Sequence, residues 1–380
     1  MVTAYNLKES NLFKPIKVGD VTLKNRVALA PLTRGRNSDD HIPFDYVKDY
    51  YDQRSRREGT LIISEAVLVS FKSSGQYQPP GIYNEKQAQK WKGVIEAIHK
   101  NKSFFFLQIW ALGLYADPAL TKSLGLKYLA PSSNVYIKKE DEEAAIAAGN
   151  PSYGLTTQEV EEYIQDFVNA AKKSIELGAD GVELHAANGY LPFQFLYDNL
   201  NKRTDRYGGS IEKKANFILD IVDGVGKAVG YSKIGVRLSP FFRTLEDVDF
   251  FEDQTIATYS YLIGELESRR KQGKKIAFIH LVEPRADLVT KNLHITNDFV
   301  YQIFKGVIVR ADGYTSDFDK LRKHVQADER TVIAFGRHFI SNPDLADRLE
   351  NDWPLTPYDR SSFYVGGEKG YLDYPFYEQK

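Results

Sequence analysis

Eight short apolar runs recur along this chain, each followed by a stretch with helical spacing. The runs are Val27–Ala30, Thr60–Ala66, Ser103–Trp110, Gly181–His185, Lys233–Ser239, Ile276–Val282, Val307–Ala311 and Thr331–Phe335. They are continuous rather than alternating. That is what a parallel strand shows when helices cover one face and a packed interior the other. The stretches between them are Phe44–Arg57, Glu85–Lys100, Thr157–Leu177, Ile211–Val229, Thr255–Gln272, Asp298–Lys305, Ser316–Val325 and Asn342–Leu349. Eight strand–helix pairs predict an α/β fold of the (β/α)8 TIM-barrel type rather than an open sheet. Barrels often run long as one unit, so residues 1–380 are expected to form a single domain.

Ahead of the first run, Leu12–Val18 and Val21–Arg26 flank Gly19-Asp20. This is a hairpin signal, and the N-terminal β-hairpin is expected to cap the barrel floor. Three connections are long: Ala111–Asn150, Pro240–Asp253 and Glu283–Thr296. Each follows a strand, so all three belong at the C-terminal face, where barrel enzymes keep their active sites. Loops of this length there are expected to be lids or pocket walls.

Composition narrows the function classes. Lys plus Arg is 50 and Asp plus Glu is 51, a balance without the basic excess of a nucleic-acid binder. The chain has no cysteine, which excludes disulfides, thiolate metal sites and a cysteine nucleophile. The first residues lack the apolar segment of a secretory signal, and no run of about 18 apolar residues suggests a membrane span. A cytoplasmic protein, monomer or homodimer, is the expectation. The seven histidines are scattered and predict no metal site. A Gly-x-Ser-x-Gly elbow is absent, so serine acyl transfer has no signal. Gly224-Val225-Gly226-Lys227-Ala228-Val229-Gly230 imitates a dinucleotide fingerprint. It lies at a helix end rather than between strand and helix, so it reads as helix termination.

The sharpest constellation is His185-Ala186-Ala187-Asn188-Gly189-Tyr190, just after the fourth run. His185 and Asn188 can aim two donors at one oxygen, and donors so placed stabilise an enolate-like charge as it develops. Tyr190 can supply a proton. Polar packing at the strand end is the competing reading. Thr33, Gln108 and Arg237 also lie in or just after strands. An arginine in an apolar strand needs an acceptor at the barrel mouth, either an anionic ligand or an internal carboxylate. Gly336-Arg337 after the eighth run fits the phosphate site that barrels build after strands seven and eight.

At these residues the chain resembles the Old Yellow Enzyme family of ene-reductases, and its yeast and plant branch most closely. The resemblance runs from Asn11-Leu12-Phe13-Lys14-Pro15-Ile16 to Gly370-Tyr371-Leu372-Asp373-Tyr374-Pro375. It passes through Ala30-Pro31-Leu32-Thr33-Arg34, Asp180 to Tyr190, Arg203 to Glu212, Val236-Arg237-Leu238-Ser239-Pro240 and Gly336 to Leu345. It implies FMN as cofactor and NADPH, or NADH, as reductant. The nicotinamide and a small enone substrate would use the same pocket over the flavin in turn. Pro31 and Ala66 would line the flavin and Thr33 would bond its carbonyl. Gln108 and Arg237 would hold its pyrimidine edge, and Gly313, Gly336 and Arg337 its phosphate. His185 and Asn188 would grip the substrate oxygen. Hydride would pass from flavin N5 to the β-carbon, and Tyr190 would protonate the α-carbon. Trp110 and Tyr364 would shape the substrate pocket.

The chain departs from the family at Asp312, where the resemblance implies glycine. A carboxylate there would repel the phosphate unless turned away, so weaker FMN binding is expected. The segments 240–253 and 285–297 match the family poorly, which leaves substrate preference open; Phe241 and Phe242 are candidates for the pocket or for the core. Two rival functions remain from the residues alone. One is a phosphate-binding barrel isomerase or aldolase, although no lysine stands at a strand end. The other is a flavin or steroid binder with little turnover.

Overall fold

In a computed structural model of the chain, residues 5–242, 252–284 and 295–378 are described. Eight parallel strands close into a barrel. They are Val27–Leu29, Leu61–Ile63, Phe104–Trp110, Gly181–Ala186, Ile234–Leu238, Phe278–Val282, Val307–Ala311 and Thr331–Phe335. Each pairs with the next, and the eighth returns to the first through Ile333 with Val27 and Phe335 with Leu29. The second strand is shorter than expected. It stops at Ile63 and resumes at Val67–Leu68, which pairs with Ile109 and Trp110. The break carries Glu65 and Ala66.

Side-chain alternation explains why the strands read as unbroken apolar runs. Val182, Leu184 and Ala186 of the fourth strand pack outward with the helices, while Phe106, Phe278, Val309 and Val332 fill the interior. Two glycines make that filling possible. A methyl group on Gly181 would meet the Phe106 ring at 2.3 Å, and one on Gly235 would meet the Phe278 ring at 2.3 Å. The two rings sit 5.3 Å apart and plug the barrel at that level. The hairpin closes the floor as expected. Ile16–Val18 and Val21–Leu23 pair antiparallel around Gly19 at φ +55°, and Val18 and Leu23 are fully buried with the interior residues.

The helices match their expected places with local adjustments. Glu85–Lys100 begins with a capping box of Asn84 and Gln87, and Thr157–Glu176 with one of Thr156 and Glu159. Phe44–Arg57 contracts to Val47–Ser55, Asp298–Lys305 contracts to Phe299–Ile303, and the fifth helix extends back to Glu252. After the eighth strand, two short helices, Arg337–Ser341 and Leu345–Glu350, replace the expected Asn342–Leu349. Pro343 lies between them, and proline cannot donate the bond that would continue a helix. Among the described residues no helix is long and apolar enough to cross a membrane.

The long connection 111–150 has structure of its own. It contains helices Pro118–Ser123 and Lys139–Ala148, and Leu129–Ala130 pairs with Tyr153–Gly154. Leu112, Leu114 and Tyr128 join Trp110 in a separate buried cluster against which Tyr190 packs. Residues 243–251 and 285–294, the greater part of the other two long connections, lie outside the described residues.

Candidate active site

Above the apolar plug the barrel interior turns polar. Gln108, Glu183, His185, Arg237 and His280 are all buried there, on four neighbouring strands. Strand register sets their order. Gln108 lies beside Glu183, and Arg237 lies beside both His185 and His280. Glu183 accepts hydrogen bonds from Gln108 Nε2 and from His280 Nδ1, each at 2.6 Å.

The next layer is aromatic. Trp110 stacks on His185 with ring centres 6.5 Å apart and meets Tyr190 edge-on at 4.8 Å. His185 and Tyr190 are themselves 4.8 Å apart, and Tyr115 lies 5.2 Å from Tyr190. The loop after the fourth strand achieves this through a left-handed step. Asn188 has φ +55° and Gly189 φ +82°; asparagine is among the few side chains that tolerate the region. The Asn188 N–H donates to Ser239 Oγ at 2.8 Å, tying the loop to the end of the fifth strand. Gln194 ties the same loop to the third strand's extension. Its Nε2 donates to Gly189 O at 2.7 Å and to Leu112 O at 3.2 Å, and its Oε1 accepts from Leu114 N–H.

Electrostatics gives these groups defined protonation states. Burial holds His185 well below the ordinary histidine range, and the nearby Arg237 charge pushes it the same way. The imidazole is therefore neutral near pH 7. Burial also pushes the Tyr190 phenol up to about 12, with Tyr115 adding to the rise, Arg237 opposing it and Tyr364 adding again. Tyr190 thus carries its proton at neutral pH. Several polar atoms of this layer have no hydrogen-bond partner: His185 Nδ1, Arg237 Nε, Trp110 Nε1 and His280 Nε2. Buried donors and acceptors left unpaired cost about 1–3 kcal/mol each, and such a set suits a bound polar ligand.

The residues expected at the phosphate also meet. Ala311 and Ala334 are register neighbours, so Asp312-Gly313 and Gly336-Arg337 leave the barrel side by side. Arg337 Nη2 donates to Asp312 Oδ1 at 2.8 Å. Asp312 has φ +89°, where glycine is the favoured residue, so the departure from glycine is visible in the backbone itself. The end of the first strand lies against this corner. Ala30 N–H donates to Phe335 O at 3.0 Å, and a methyl on Gly336 would come within 3.2 Å of Leu32. Pro31 and Ala66 are buried and Thr33 is half-buried at these first two strand ends.

Tyr364 stands apart from the buried set, 72% exposed and edge-on to Phe363. Its segment is anchored from below. Arg34 donates to Phe363 O and Gly370 O, and Arg36 to Ser362 O, Phe363 O, Gly367 O and Lys369 O. Phe241 is 2% exposed and meets Phe299 edge-on at 6.3 Å, so it belongs to the core; Phe242 packs on Phe193 at 6.2 Å. A cleft of about 370 Å³ opens at the opposite, N-terminal end. Within it Lys24 pairs with Glu58, and His99 with Asp180.

Sequence reasoning missed Glu183, His280, Gln194 and Ser239 as members of this site. Glu183 and His280 carry a usable signal. Each is a polar residue on the inward phase of its strand, two positions before His185 and two after Phe278 respectively. Gln194 and Ser239 act on loop backbone, and nothing in their local sequence announces it.

Comparison with known proteins gives the chain's family. Residues 11–356 match the NADH:flavin oxidoreductase / NADH oxidase family model. Enoate reductase 1 of Kluyveromyces lactis is 43% identical over 98% of this chain and 96% of its own length. A probable NADPH dehydrogenase of Candida albicans is 42% identical over 97% and 91%. The crystal structure of Old Yellow Enzyme from Pichia sp. AKU4542 superposes with a TM-score of 0.91 at 43% identity, covering 98% of this chain and 95% of that one. FMN is the cofactor of the matched family, and the buried, unpartnered Arg237 Nε–H at the barrel mouth fits the acceptor-bearing edge of a flavin. The chain belongs to the NADH:flavin oxidoreductase / NADH oxidase family and is an FMN-dependent, nicotinamide-using enzyme of the Old Yellow Enzyme type.

Proposed function

We propose that the chain is an NAD(P)H:enone oxidoreductase, with NADPH the favoured reductant, acting on α,β-unsaturated ketones and aldehydes. The observation that carries this reading is the contact of neutral His185 with protonated Tyr190, on the loop that also carries Asn188, beside buried polar atoms without partners. Bound FMN would supply the hydride chemistry, between the nicotinamide and the substrate's β-carbon.

The chain's own residues do the rest. Pro31 and Ala66 line the flavin, and Thr33 bonds its carbonyl. Gln108 and Arg237 hold the pyrimidine edge. Gly313, Gly336 and Arg337 hold the phosphate. His185 and Asn188 donate to the substrate's carbonyl oxygen and draw electron density from the alkene. A neutral imidazole suits this task, because it offers a hydrogen bond without the proton-transfer tendency of an imidazolium. Tyr190 gives its phenolic proton to the α-carbon and recovers it from solvent. Trp110 fixes the rings of His185 and Tyr190 by contact, and Tyr364 forms the outer wall.

The test is the visible spectrum of the purified protein before and after anaerobic NADPH, then after cyclohexenone. Yellow protein that bleaches and regains its colour is the expected result. Colour that NADPH bleaches but cyclohexenone does not restore would refute the enone reading in favour of a binder. Colourless protein, even after incubation with FMN, would refute the flavin site.

A further inference from the structure

Glu183 is fully buried within the barrel, yet none of the steps above uses it. Its carboxylate makes two short hydrogen bonds, to Gln108 and to His280. An ionised carboxylate only accepts, so Gln108 must turn Nε2 towards it and present Oε1 elsewhere. By the same logic His280 carries its proton on Nδ1 and keeps Nε2 bare, in accord with the missing partner at that atom. The neighbouring cation is Arg237, next to His280 in register; burial lowers its pKa, and the charge of Glu183 opposes that lowering. Gln108, His280 and Arg237 thus each have their orientation or their charge influenced by this one carboxylate.

We propose that Glu183 is a positioning residue for the flavin's pyrimidine edge: it fixes which atom Gln108 offers the cofactor and offsets the positive charge that Arg237 brings there. The inference rests on the proposed roles of Gln108 and Arg237. Its consequence is a lower flavin reduction potential than Arg237 alone would give. An unopposed cation stabilises anionic reduced flavin, and a buried anion beside it subtracts from that effect.

The test is the midpoint potential of bound FMN, measured by dye equilibration on the holoenzyme of wild type, Glu183→Gln, Glu183→Asp and Arg237→Met. Removing the charge in Glu183→Gln is expected to shift the equilibrium towards reduced flavin roughly tenfold, about 30 mV for a two-electron couple. Glu183→Asp keeps the charge but shortens the reach. It should retain a near-native potential while releasing FMN more readily, because Gln108 is no longer held. Arg237→Met should move the potential the opposite way. An unchanged potential in Glu183→Gln, with Arg237→Met shifted, overturns the role of Glu183 and leaves the site assignment standing. An unchanged potential and FMN affinity in Arg237→Met overturns the site assignment itself. Should Glu183→Gln not fold, Glu183→Asp decides: wild-type FMN retention in that variant overturns the proposal.

Discussion

Substitution of Asp312 separates two effects that meet at one residue. Its carboxylate holds Arg337 at 2.8 Å, and the two side chains are 41% and 42% exposed. Solvent screening at that exposure limits the pair to about 0.2–1 kcal/mol. A phosphate arriving at Arg337 must displace this partner and then lie near the carboxylate it displaced. Repulsion of like charges close to the surface adds on the order of 1 kcal/mol. Together these terms cost FMN about 1–2 kcal/mol, so Asp312→Asn should tighten its binding roughly 5- to 30-fold. The backbone term is separate. At φ +89° an aspartate is strained whether or not FMN is bound. Asp312→Gly relieves that strain but gains unfolded-chain entropy, leaving a net stabilisation on the order of 1 kcal/mol in the apoprotein as well. Asparagine tolerates the same region and removes only the charge, so the two variants divide the effects. The assay is titration of apoprotein with FMN by fluorescence quenching, with apoprotein Tm measured alongside. The gap between wild type and Asp312→Asn should narrow in high salt, as screened charges require. Equal FMN affinity of Asp312→Asn and wild type at low salt would refute the argument.

Other perturbations test the remaining parts. Tyr190→Phe should leave anaerobic flavin reduction by NADPH unchanged and slow enone turnover by ~10²–10⁴, the usual worth of general acid help; stopped flow showing both half-reactions slowed alike would remove the assignment. His185→Ala should weaken binding of phenols that mimic the substrate oxygen, and unchanged affinity in a spectral titration would exclude it from the oxygen site. Arg36→Met should expose the segment 362–370 to limited proteolysis and raise KM for enones while the bound flavin's spectrum stays the same, since that segment hangs on Arg36 by four carbonyls. Acid should destabilise the fold from about pH 6.5 downward. His41, His185, His280, His324 and His338 are all held below the ordinary histidine value, so the unfolded chain takes up protons there that the folded one refuses. His99, raised beside Asp180, and Glu65, raised to about 7 by burial, pull the other way but are fewer. A Tm that rises from pH 7.5 to 5.5 would contradict that balance.

The barrel was legible because parallel strands covered on both faces must be apolar at every position, and eight such runs admit few other closures. All eight expected strands form, and the hairpin sits where Gly19-Asp20 put it. The break in the second strand was not legible. Thr60–Ala66 reads as one apolar run, yet the chain leaves the sheet after Ile63, and the Glu65 N–H bonds to Tyr51 OH instead. That contact is tertiary and has no local trace. The site was legible where polar residues interrupt strands or follow them directly, as with Gln108, His185 and Arg237. It was not legible where a group's meaning comes from a strand partner. Gln108 beside Glu183, and Arg337 beside Asp312, are pairs made by register and barrel closure, at separations of 75 and 25 residues.

The two levels of the barrel interior explain how the site can bear its own cost. Below, Phe106 and Phe278 occupy space that Gly181 and Gly235 leave open, and the hairpin seals the packing. Burying such rings contributes about 1.5–3 kcal/mol each. Above, the same strands carry groups that a stability-driven interior would not keep: a buried arginine and two histidines with unpaired atoms, beside a tryptophan whose N–H has no acceptor. Left-handed turns at Asn188 and Asp312 add strain at the same end. The division follows from strand geometry. Inward positions recur every second residue, so one strand can present glycine to the floor and a charged group to the mouth, as Gly235 and Arg237 do. Stability and chemistry therefore share the same eight strands but not the same residues. This makes the mouth open to substitution at Asp312 and Tyr190 without loss of the fold, whereas a methyl group on Gly181 or Gly235 would displace the rings that close the barrel.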